Sequence, residues 1–304
     1  MGDNSLIEWT DASWNIITGC SVTSPGCANC YAMKLAGTRL KGHDAYRGLT
    51  IPTKAGPVWS GEVRFNRPWL NVPLTWKRPR KIFPCATGDL FHENVPIEWL
   101  DLVFGVMDRA FQHVFQVVTK RAHRMRAYIL ARYGDEGAPP HIWLGISAED
   151  QVRLDERAPD LQATPAAVRW ISFEPMLGLI DASGVLASGL IHWGVAGGES
   201  GPRPLHPTWA RVLRDQHYAH HVPFLFKQWG SWRPAASSAA PGRMLMDVHG
   251  DCGASIKPPR PGDDQDTYWT AWWFEPVGKK AAGRVLDGRI HHDFPRMQEL
   301  ADVA

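Results

Sequence analysis

The chain has 304 residues, of which 44% are hydrophobic and 21% are charged, and its formal net charge is +2. This composition excludes a disordered or fibrous protein, and the length suffices for one large core or a barrel with a small appendage. The small net charge does not indicate a protein dedicated to coating nucleic acid. The first residues lack the basic start and apolar run of a signal peptide, and no stretch approaches the ~18 apolar residues of a membrane span. We therefore expect a cytoplasmic protein.

Short apolar runs alternate with segments of helical character over the first 230 residues. Strands are predicted at 14–19, 82–87, 115–119, 142–147, 169–174, 190–197 and 223–228. Helices are predicted at 27–40, 96–112, 122–133, 149–157 and 207–220. Such alternation is typical of βα units around a parallel sheet, and the preferred hand of the crossovers favours a closed or nearly closed barrel. The predicted fold class is α/β, a partial or complete parallel βα (TIM-like) barrel with a small C-terminal appendage; a doubly wound open sheet is the main alternative.

Every predicted strand ends in polar or glycine-rich residues. They are Cys20; Thr87, Gly88 and Asp89; Thr119, Lys120 and Arg121; Ser147 and Glu149; Ser172 and Glu174; Gly197, Gly198 and Glu199; and Lys227 and Gln228. Parallel strands bring such ends to one rim, where barrel enzymes assemble their active sites. The alternative is that these strand ends are simply solvated, but seven of them in a row favour a site.

Two regions depart from the alternation. Residues 41–80 mix prolines and glycines with tryptophans and are predicted to form an insertion that crosses the barrel. Residues 231–304 are rich in Gly, Pro and Ser at first and then contain YWTAWWFEPVG and AAGRVLDGRIHHDF, which we interpret as short strands. The predicted organisation is a barrel over 1–230 and a small β-rich appendage or lid over 231–304.

Three of the five cysteines, Cys20, Cys27 and Cys30, form a C-x6-C-x2-C motif directly after the first predicted strand. Three thiolates on one loop can bind three irons of a [4Fe-4S] cubane and leave the fourth iron without a protein ligand. An open iron can chelate the amino and carboxylate groups of S-adenosylmethionine, whose cleavage gives a 5′-deoxyadenosyl radical. The alternative is a zinc site of the Cys3His type, completed by His43, His92 or another histidine.

The remaining two cysteines do not share this loop. Cys85 lies in the second predicted strand and is expected to be a small buried hydrophobe. Cys252 lies in the tail and is expected to be a surface thiol.

Eight stretches spread from the N-terminus to about residue 294 carry a family resemblance. They are IEWTDASWNIITGCSVTSPGCANCYA, GDLFHENVP, VVTKR, WLGISAEDQ, SFEPMLG, GGESGPRP, FLFKQWG and VGKKAAGRVLDGR. Through them the chain resembles the phage Gp37/Gp68-type proteins, also called three-Cys-motif proteins. That family is similar to radical S-adenosylmethionine enzymes, including the spore photoproduct lyase branch. The common radical motif is C-x3-C-x2-C with an aromatic residue before the last cysteine, whereas here the first gap is six and Asn29 precedes Cys30.

The resemblance implies roles for the strand ends. The second strand of radical enzymes binds the methionine group, and Thr87 and Asp89 occupy that place here. Ser147 and Glu149 follow the fourth strand, where ribose hydroxyl groups are bound in such barrels, and Glu199 is a further candidate for cofactor binding. The implied cofactors are a [4Fe-4S] cluster and S-adenosylmethionine, with an external electron donor such as flavodoxin or ferredoxin. A phage-encoded member would act in the host cytoplasm.

Glu174, Lys227 and Lys120 are the candidate catalytic residues. A carboxylate at a strand end next to Pro175 needs a partner, and Lys120 or Lys227 could supply it. Cations suit a phosphate and Trp229 offers a ring for stacking, so a nucleobase, nucleotide or modified DNA is the expected substrate.

Three functions remain open at this stage. The first is a radical enzyme, a lyase, isomerase or transferase, that acts on such a substrate. The second is a zinc-stabilised nucleic-acid-binding module without catalysis. The third is a phage structural or interaction protein, against which the dense polar rim argues.

Overall fold

The computed structural model describes residues 4–235, 242–253 and 271–295. Its strands are β1 (Ala12–Trp14), β2 (Ile17–Thr18), β3 (Thr50–Thr53), β4 (Gly56–Trp59), β5 (Arg64–Phe65), β6 (Lys81–Pro84), β7 (Val114–Thr119), β8 (Ile142–Ser147), β9 (Arg169–Phe173), β10 (Trp193–Gly197), β11 (Phe224–Gln228), β12 (Trp232–Ala235), β13 (Met244–Met246) and β14 (Trp272–Pro276). Its α-helices are α1 (Tyr31–Gly37), α2 (Val72–Thr75), α3 (Ile97–Arg109), α4 (Ala122–Tyr133), α5 (Gln151–Gln162), α6 (Ser183–Ala187), α7 (Pro207–Ala219) and α8 (Lys279–Ala282). Short 3-10 turns span Pro25–Cys27, Arg67–Trp69 and Gly134–Glu136.

Seven strands form the main sheet in the order β1-β6-β7-β8-β9-β10-β11. The pairs β1–β6, β6–β7, β7–β8 and β10–β11 are parallel. Each strand of this sheet lies beside its predecessor in the chain, which is the order of a βα barrel, whereas a doubly wound sheet reverses direction at a switch point. The predicted fold class, α/β with a partial parallel βα barrel, is confirmed.

The chain divides into two compact units. The described residues of the first unit are 4–146 and 157–170, and those of the second are 147–156, 171–235, 242–253 and 271–295. None of the helices in the described part of the chain is both long and apolar enough to cross a membrane.

Burial explains why the central strands appear in the sequence as continuous apolar runs. All residues of β8 except Ser147 are buried, as expected for a parallel strand covered on both faces. Gly145 in this strand leaves room for Trp170, since a Cβ there would lie 2.6 Å from the indole ring. The Nε1 of Trp170 donates to the carbonyl oxygen of Val117 at 3.1 Å. The tryptophan thus packs in the core of the first unit.

Two predicted elements near the cysteines are shorter than expected. The predicted strand at 82–87 ends at Pro84 because Cys85 has a left-handed backbone, with φ +59°. The predicted helix at 27–40 begins only at Tyr31, after the 3-10 turn of Pro25–Cys27. In place of one strand at 14–19, β1 and β2 flank a break at 15–16, and β2 pairs with β5.

The insertion at 41–80 contains the antiparallel β3–β4 hairpin. Residues from it form a buried cluster with one face of α1 that includes Met33, Ala36, Tyr46 and Trp59, and Cys20 and Cys30 pack against this cluster. The insertion therefore packs beside the cysteine loop within the first unit, where Cys20 and Cys30 are partly buried.

The second unit carries a three-stranded antiparallel sheet in the order β12-β14-β13. The stretch YWTAWWFEPVG contributes β14; its first three residues, 268–270, lie outside the described residues. The stretch AAGRVLDGRIHHDF differs from the prediction of short strands, because it contains the end of α8 and otherwise isolated bridges, such as the one between Leu286 and Arg289.

Candidate functional site

Two glycines position the start of the cysteine loop in the first unit. Gly19 has φ +94°, and a Cβ there would lie 2.2 Å from the carbonyl oxygen of Glu62. Gly88 forms a parallel bridge with Gly19, and a Cβ on Gly88 would lie 2.7 Å from the carbonyl oxygen of Ile17. Only glycine permits this approach of two backbones, which brings Cys20 to the end of β6.

Cys27 is buried and its sulfur contacts a cation. The Nζ of Lys120 lies 3.5 Å from the Sγ of Cys27 and donates to the Oγ of Ser24 at 2.8 Å. The Ser24 hydroxyl in turn lies 3.6 Å from the same sulfur. Burial works to raise the pKa of Cys27, but Lys120 and the hydrogen bonds from Thr23 and Ser24 lower it to about 7. This thiol is thus prepared to ionise near neutral pH.

Cys20 contacts the second cation of the same strand end. Nη1 of Arg121 lies 3.5 Å from the Sγ of Cys20. Burial and the nearby carboxylate of Asp89 raise the pKa of the Cys20 thiol to about 12, although Arg121 works in the opposite direction. In the absence of a bound group this thiol keeps its proton at neutral pH.

Cys30 precedes the first turn of α1. Burial raises the pKa of its thiol, while the backbone amides of Ala32 and Met33 work against the rise. The charge of Cys27 raises the pKa of both Cys20 and Cys30, so the three sulfurs are close enough to interact electrostatically.

This donor set fits an iron–sulfur cluster in its chemistry. Three thiols lie on one loop, and two of their sulfurs face side-chain N–H donors of Lys120 and Arg121. Thiolate ligands and N–H donors directed at sulfur are the features by which proteins hold such clusters and set their potential. Within the described ranges, no three His, Cys, Asp or Glu side chains are arranged as ligands of a single metal ion.

Asp89 accepts hydrogen bonds from both of the residues that contact the thiols, Lys120 and Arg121. Its Oδ1 accepts from the hydroxyl of Thr119 at 2.6 Å and from the amide of Phe91 at 3.0 Å. Its Oδ2 accepts from the amide of Lys120 at 3.2 Å and from Nη1 of Arg121 at 3.1 Å. The carboxylate is thereby occupied by donors of its own unit, and it fixes the side chain that faces Cys20.

His92 and Glu93 complete this cluster. Nδ1 of His92 accepts from the amide of Asn94 at 3.1 Å, so the proton of the neutral ring is on Nε2, which lies 2.7 Å from the Ser21 hydroxyl. Burial and the charge of Arg121 lower the pKa of His92. Glu93 accepts from Nε and Nη2 of Arg121 at 3.2 and 3.1 Å.

Thr87, a predicted cofactor ligand, is buried in the same unit. Its hydroxyl lies 3.1 Å from the hydroxyl of Tyr46, and its amide donates to Oδ1 of Asn15 at 3.2 Å. Cys85 is buried and Cys252 is exposed, as expected for thiols outside the loop.

In the second unit, two predicted catalytic residues are in direct contact. Nζ of Lys227 donates to Oε2 of Glu174 at 2.7 Å, and Nε2 of Gln228 donates to Oε1 of Glu174 at 3.0 Å. Lys227 is buried and the Glu174 side chain is 17% exposed. Gly197 faces this carboxylate, since a Cβ there would lie 3.2 Å from Oε1. Lys120 and Lys227 were the two predicted partners of Glu174, and Lys227 is the one that contacts it.

The other predicted residues of the second unit lie in separate surroundings. Both carboxylate oxygens of Glu199 accept from the guanidinium group of Arg203. Ser147 is half-buried at the end of β8, and Glu149 is wholly buried. Trp229 is 6% exposed, and its Nε1 donates to the carbonyl oxygen of Val285 at 2.9 Å.

Three residues that contact the thiols were not among the predicted site residues: Arg121, Thr23 and Ser24. Arg121 could have been chosen from the sequence, because it directly follows Lys120 at a strand end. Ser24 has no such signal, since its role depends on a contact with Lys120 across 96 positions of the chain.

Comparison with known proteins gives a family and no closer relative. No curated protein and no solved structure matches the chain. One family model matches residues 4–295, nearly the whole chain, and its description is "Protein of unknown function (DUF5131)". This agrees with the resemblance to the three-Cys-motif family. The chain belongs to the DUF5131 family.

Proposed function

We propose that the protein is an iron–sulfur enzyme of the radical S-adenosylmethionine type, with Cys20, Cys27 and Cys30 as the ligands of a [4Fe-4S] cluster. The observation that carries the proposal is the pairing of Lys120 with the sulfur of Cys27 and of Arg121 with the sulfur of Cys20. Structural buried thiols have no need of cations, whereas thiolates that bind a metal cluster are stabilised by them.

The cluster, together with S-adenosylmethionine, would supply a 5′-deoxyadenosyl radical. Cys20, Cys27 and Cys30 would hold the cluster, and an external donor such as flavodoxin or ferredoxin would supply the electron that this chemistry consumes. The residues of this chain have electrostatic and positioning roles. Lys120 and Arg121 offset the negative charge of the thiolates, and Asp89 holds Arg121 in place.

The proposal keeps Thr87, Asp89, Ser147, Glu149 and Glu199 as candidates for binding S-adenosylmethionine. Glu174, Lys227 and Lys120 are the candidate catalytic residues, and the ion pair of Glu174 with Lys227 could move a proton at Nζ. The proposed substrate is a nucleobase, nucleotide or modified DNA, and the proposed location is the cytoplasm.

The first test measures iron and acid-labile sulfide in protein purified without oxygen. The native chain and the Cys85→Ala and Cys252→Ala variants should each hold about four irons. The triple variant Cys20→Ala, Cys27→Ala, Cys30→Ala should hold almost none, because only these thiols share the loop. Zinc in place of iron in the native protein would favour the zinc-stabilised module, and full iron retention in the triple variant would refute the assignment.

A second readout on the same preparations follows the cofactor. After reduction with dithionite, the native protein should convert S-adenosylmethionine slowly to 5′-deoxyadenosine and methionine without added substrate. The triple variant should not, and chromatography separates the two outcomes. A fully reduced cluster that yields no 5′-deoxyadenosine would contradict the radical assignment and leave the cluster itself standing.

A further inference from the structure

The second unit contains a cleft of about 280 Å³ whose lining includes Trp229, the ring expected to stack on the proposed substrate. Its walls include the guanidinium groups of Arg211 and Arg233, the indole rings of Trp229 and Trp272, and the ring of Pro207. Flat rings beside guanidinium groups suit a ligand that is planar and anionic.

Arg211, on the wall of the cleft, belongs to a network of ion pairs. Arg211 donates to Asp287 through Nε at 2.9 Å and through Nη2 at 2.7 Å. Arg214 donates to the same carboxylate through Nη1 at 2.6 Å. Nε of Arg214 also donates to Asp215 at 2.7 Å, so two carboxylates balance the two guanidinium groups and Asp287 holds Arg211 in place.

Arg233, also on the wall of the cleft, belongs to a second ion-pair network. Nε of Arg233 donates to Glu275 at 2.5 Å, and Nη2 of Arg243 donates to the second oxygen of the same carboxylate at 2.7 Å. The side chain of Arg233 is 47% exposed, and its Nη1 and Nη2 make no hydrogen bond to any residue in the described ranges. These two nitrogens are available to grip an anion in the fork geometry that guanidinium groups offer to phosphate.

The aromatic walls are fixed in position. The guanidinium carbon of Arg211 lies 5.2 Å from the centroid of the Trp272 ring, a cation–π contact that orients both groups. Trp229 is held by its hydrogen bond to Val285 and packs edge-on against Phe226, with ring centroids 4.9 Å apart. Rigid rings cost little conformational entropy when a ligand stacks on them.

We propose that this cleft binds a nucleotide, with the base against the Trp272 and Arg211 pair and the phosphate on Arg233. A base can stack on the flat faces of these groups, and a phosphate matches the fork of Nη1 and Nη2 on Arg233. The volume lies just below the usual range of about 300–1,000 Å³ for ligand pockets, which suits one nucleotide and excludes a duplex. The ligand is either a free mononucleotide or the terminal nucleotide of a single strand.

Calorimetric titration of the full chain with adenosine 5′-monophosphate, adenosine and ribose 5-phosphate tests the proposal. The nucleotide should bind more tightly than either fragment, and its binding should weaken as salt is raised. Arg233→Gln should weaken nucleotide binding about 10-fold or more. Trp272→Leu should weaken it about 5- to 150-fold, the usual range for loss of one stacking ring.

Two matched controls lie in the first unit. Arg126 pairs with Asp160 at 3.2 Å and its side chain is 42% exposed, so Arg126→Gln removes a comparable exposed cation. Trp76 has the guanidinium group of Arg80 over its ring at 4.9 Å, so Trp76→Leu removes a comparable indole. Both controls should leave nucleotide binding within about 2-fold of the native value. Circular dichroism verifies that each variant is folded.

A 5′-phosphorylated oligonucleotide of six bases distinguishes the two sources. Tight binding of the mononucleotide indicates a free ligand, and binding of the oligonucleotide alone, lost in Arg233→Gln, indicates a strand end. Absence of binding by both, or binding that Arg233→Gln and Trp272→Leu leave unchanged, overturns the proposal. Equal binding of ribose 5-phosphate and the nucleotide also overturns it, since the base would then contribute nothing.

The inference rests on the proposed function for its substrate class, but its test does not depend on the cluster. None of Cys20, Cys27 and Cys30 lines the cleft, so the titrations can be made on metal-free protein. Variants that lose nucleotide binding should keep the iron content and the cleavage of S-adenosylmethionine. Variants that lose the iron should keep nucleotide binding.

Discussion

Lys120 controls the ionisation of Cys27. Its ammonium group lies 3.5 Å from the sulfur and, with the hydrogen bonds from Thr23 and Ser24, lowers the pKa of this thiol to about 7 against the effect of burial. Near pH 7 about half of the Cys27 side chains in metal-free protein should be thiolate, the form that reacts with alkylating agents.

Lys120→Met removes this cation and should raise the pKa of Cys27, so alkylation at pH 7 should slow several-fold. The measurement is the rate of iodoacetamide labelling of Cys27 from pH 5.5 to 9, followed by peptide mass spectrometry. Lys34→Met, on α1, is the charge-matched control and should leave the profile in place. An unchanged midpoint in Lys120→Met would show that burial and local hydrogen bonds alone set the reactivity.

At the scale of single residues, the sequence predicts which thiols form the site better than it predicts the residues that contact them. The spacing of Cys20, Cys27 and Cys30 is local and visible in the chain. Their electrostatic partners are distant, because the contact between Lys120 and Cys27 spans 93 positions and that between Arg121 and Cys20 spans 101. No local pattern encodes such contacts; only the placement of strand ends in a parallel sheet suggests them.

The bridge between Gly19 and Gly88 joins two loop segments at the cysteine site. A methyl group on Gly88 would lie 2.7 Å from the carbonyl oxygen of Ile17 and 3.1 Å from that of Gly19, so backbone would have to move. We expect Gly88→Ala to lower the free energy of unfolding by about 1–3 kcal/mol, as overpacking typically does.

Urea unfolding measures this change, with Gly42→Ala as the control. A Cβ on Gly42 meets no atom within 4 Å, so that substitution should change the free energy of unfolding by less than about 0.5 kcal/mol. If Gly88→Ala also stays within that margin, the two segments are not held as closely as the bridge indicates.

Elements with a regular apolar pattern are the most predictable in this chain. The apolar run 142–147 coincides with β8, and the predicted helix 122–133 coincides with α4. The segments near the cysteines are less predictable, because tertiary contacts override the local sequence pattern there. Cys85 takes a left-handed backbone that no propensity rule assigns to cysteine, and this ends β6 three residues before the predicted strand end.

At the scale of the whole molecule, the fold class follows from alternation and handedness, and both are properties of the sequence pattern. The sequential strand order that these rules predict is the order found. Residues 41–80 were harder to predict, since Pro and Gly mark turns without indicating what the turns cover. The role of this segment, to pack its β3–β4 hairpin against α1, depends on side chains such as Tyr46 and Trp59.

His217 should make the stability of the whole chain sensitive to acid. The ring is wholly buried, and its Nδ1–H donates to the carbonyl oxygen of Leu213 at 2.7 Å. Nε2 is buried and meets no acceptor in the described part of the chain, and a Cβ on Gly194 would lie 2.0 Å from it. Protonation would therefore place a charge and a new N–H group in an apolar pocket beside Phe173 and Phe224.

Burial, together with the charge of His220, lowers the pKa of His217 from 6.5 to about 4 in the folded chain. The unfolded chain then binds this proton from about pH 6.5 downward, whereas the folded chain resists it until about pH 4. The contribution of the neutral His217 ring to the free energy of unfolding is complete above pH 6.5. It is lost as the pH falls toward 4, by roughly 3 kcal/mol in all. Urea unfolding between pH 7 and 4 should show this loss as a slope.

His217→Leu removes the titrating ring and should flatten that slope, whatever its effect on stability at pH 7. His123→Leu is the control, because this side chain is 87% exposed. The slope in His123→Leu should match that of the native protein. If His217→Leu also keeps the native slope, the acid sensitivity arises from groups other than His217, and the neutral imidazole beside Gly194 does not limit stability in acid.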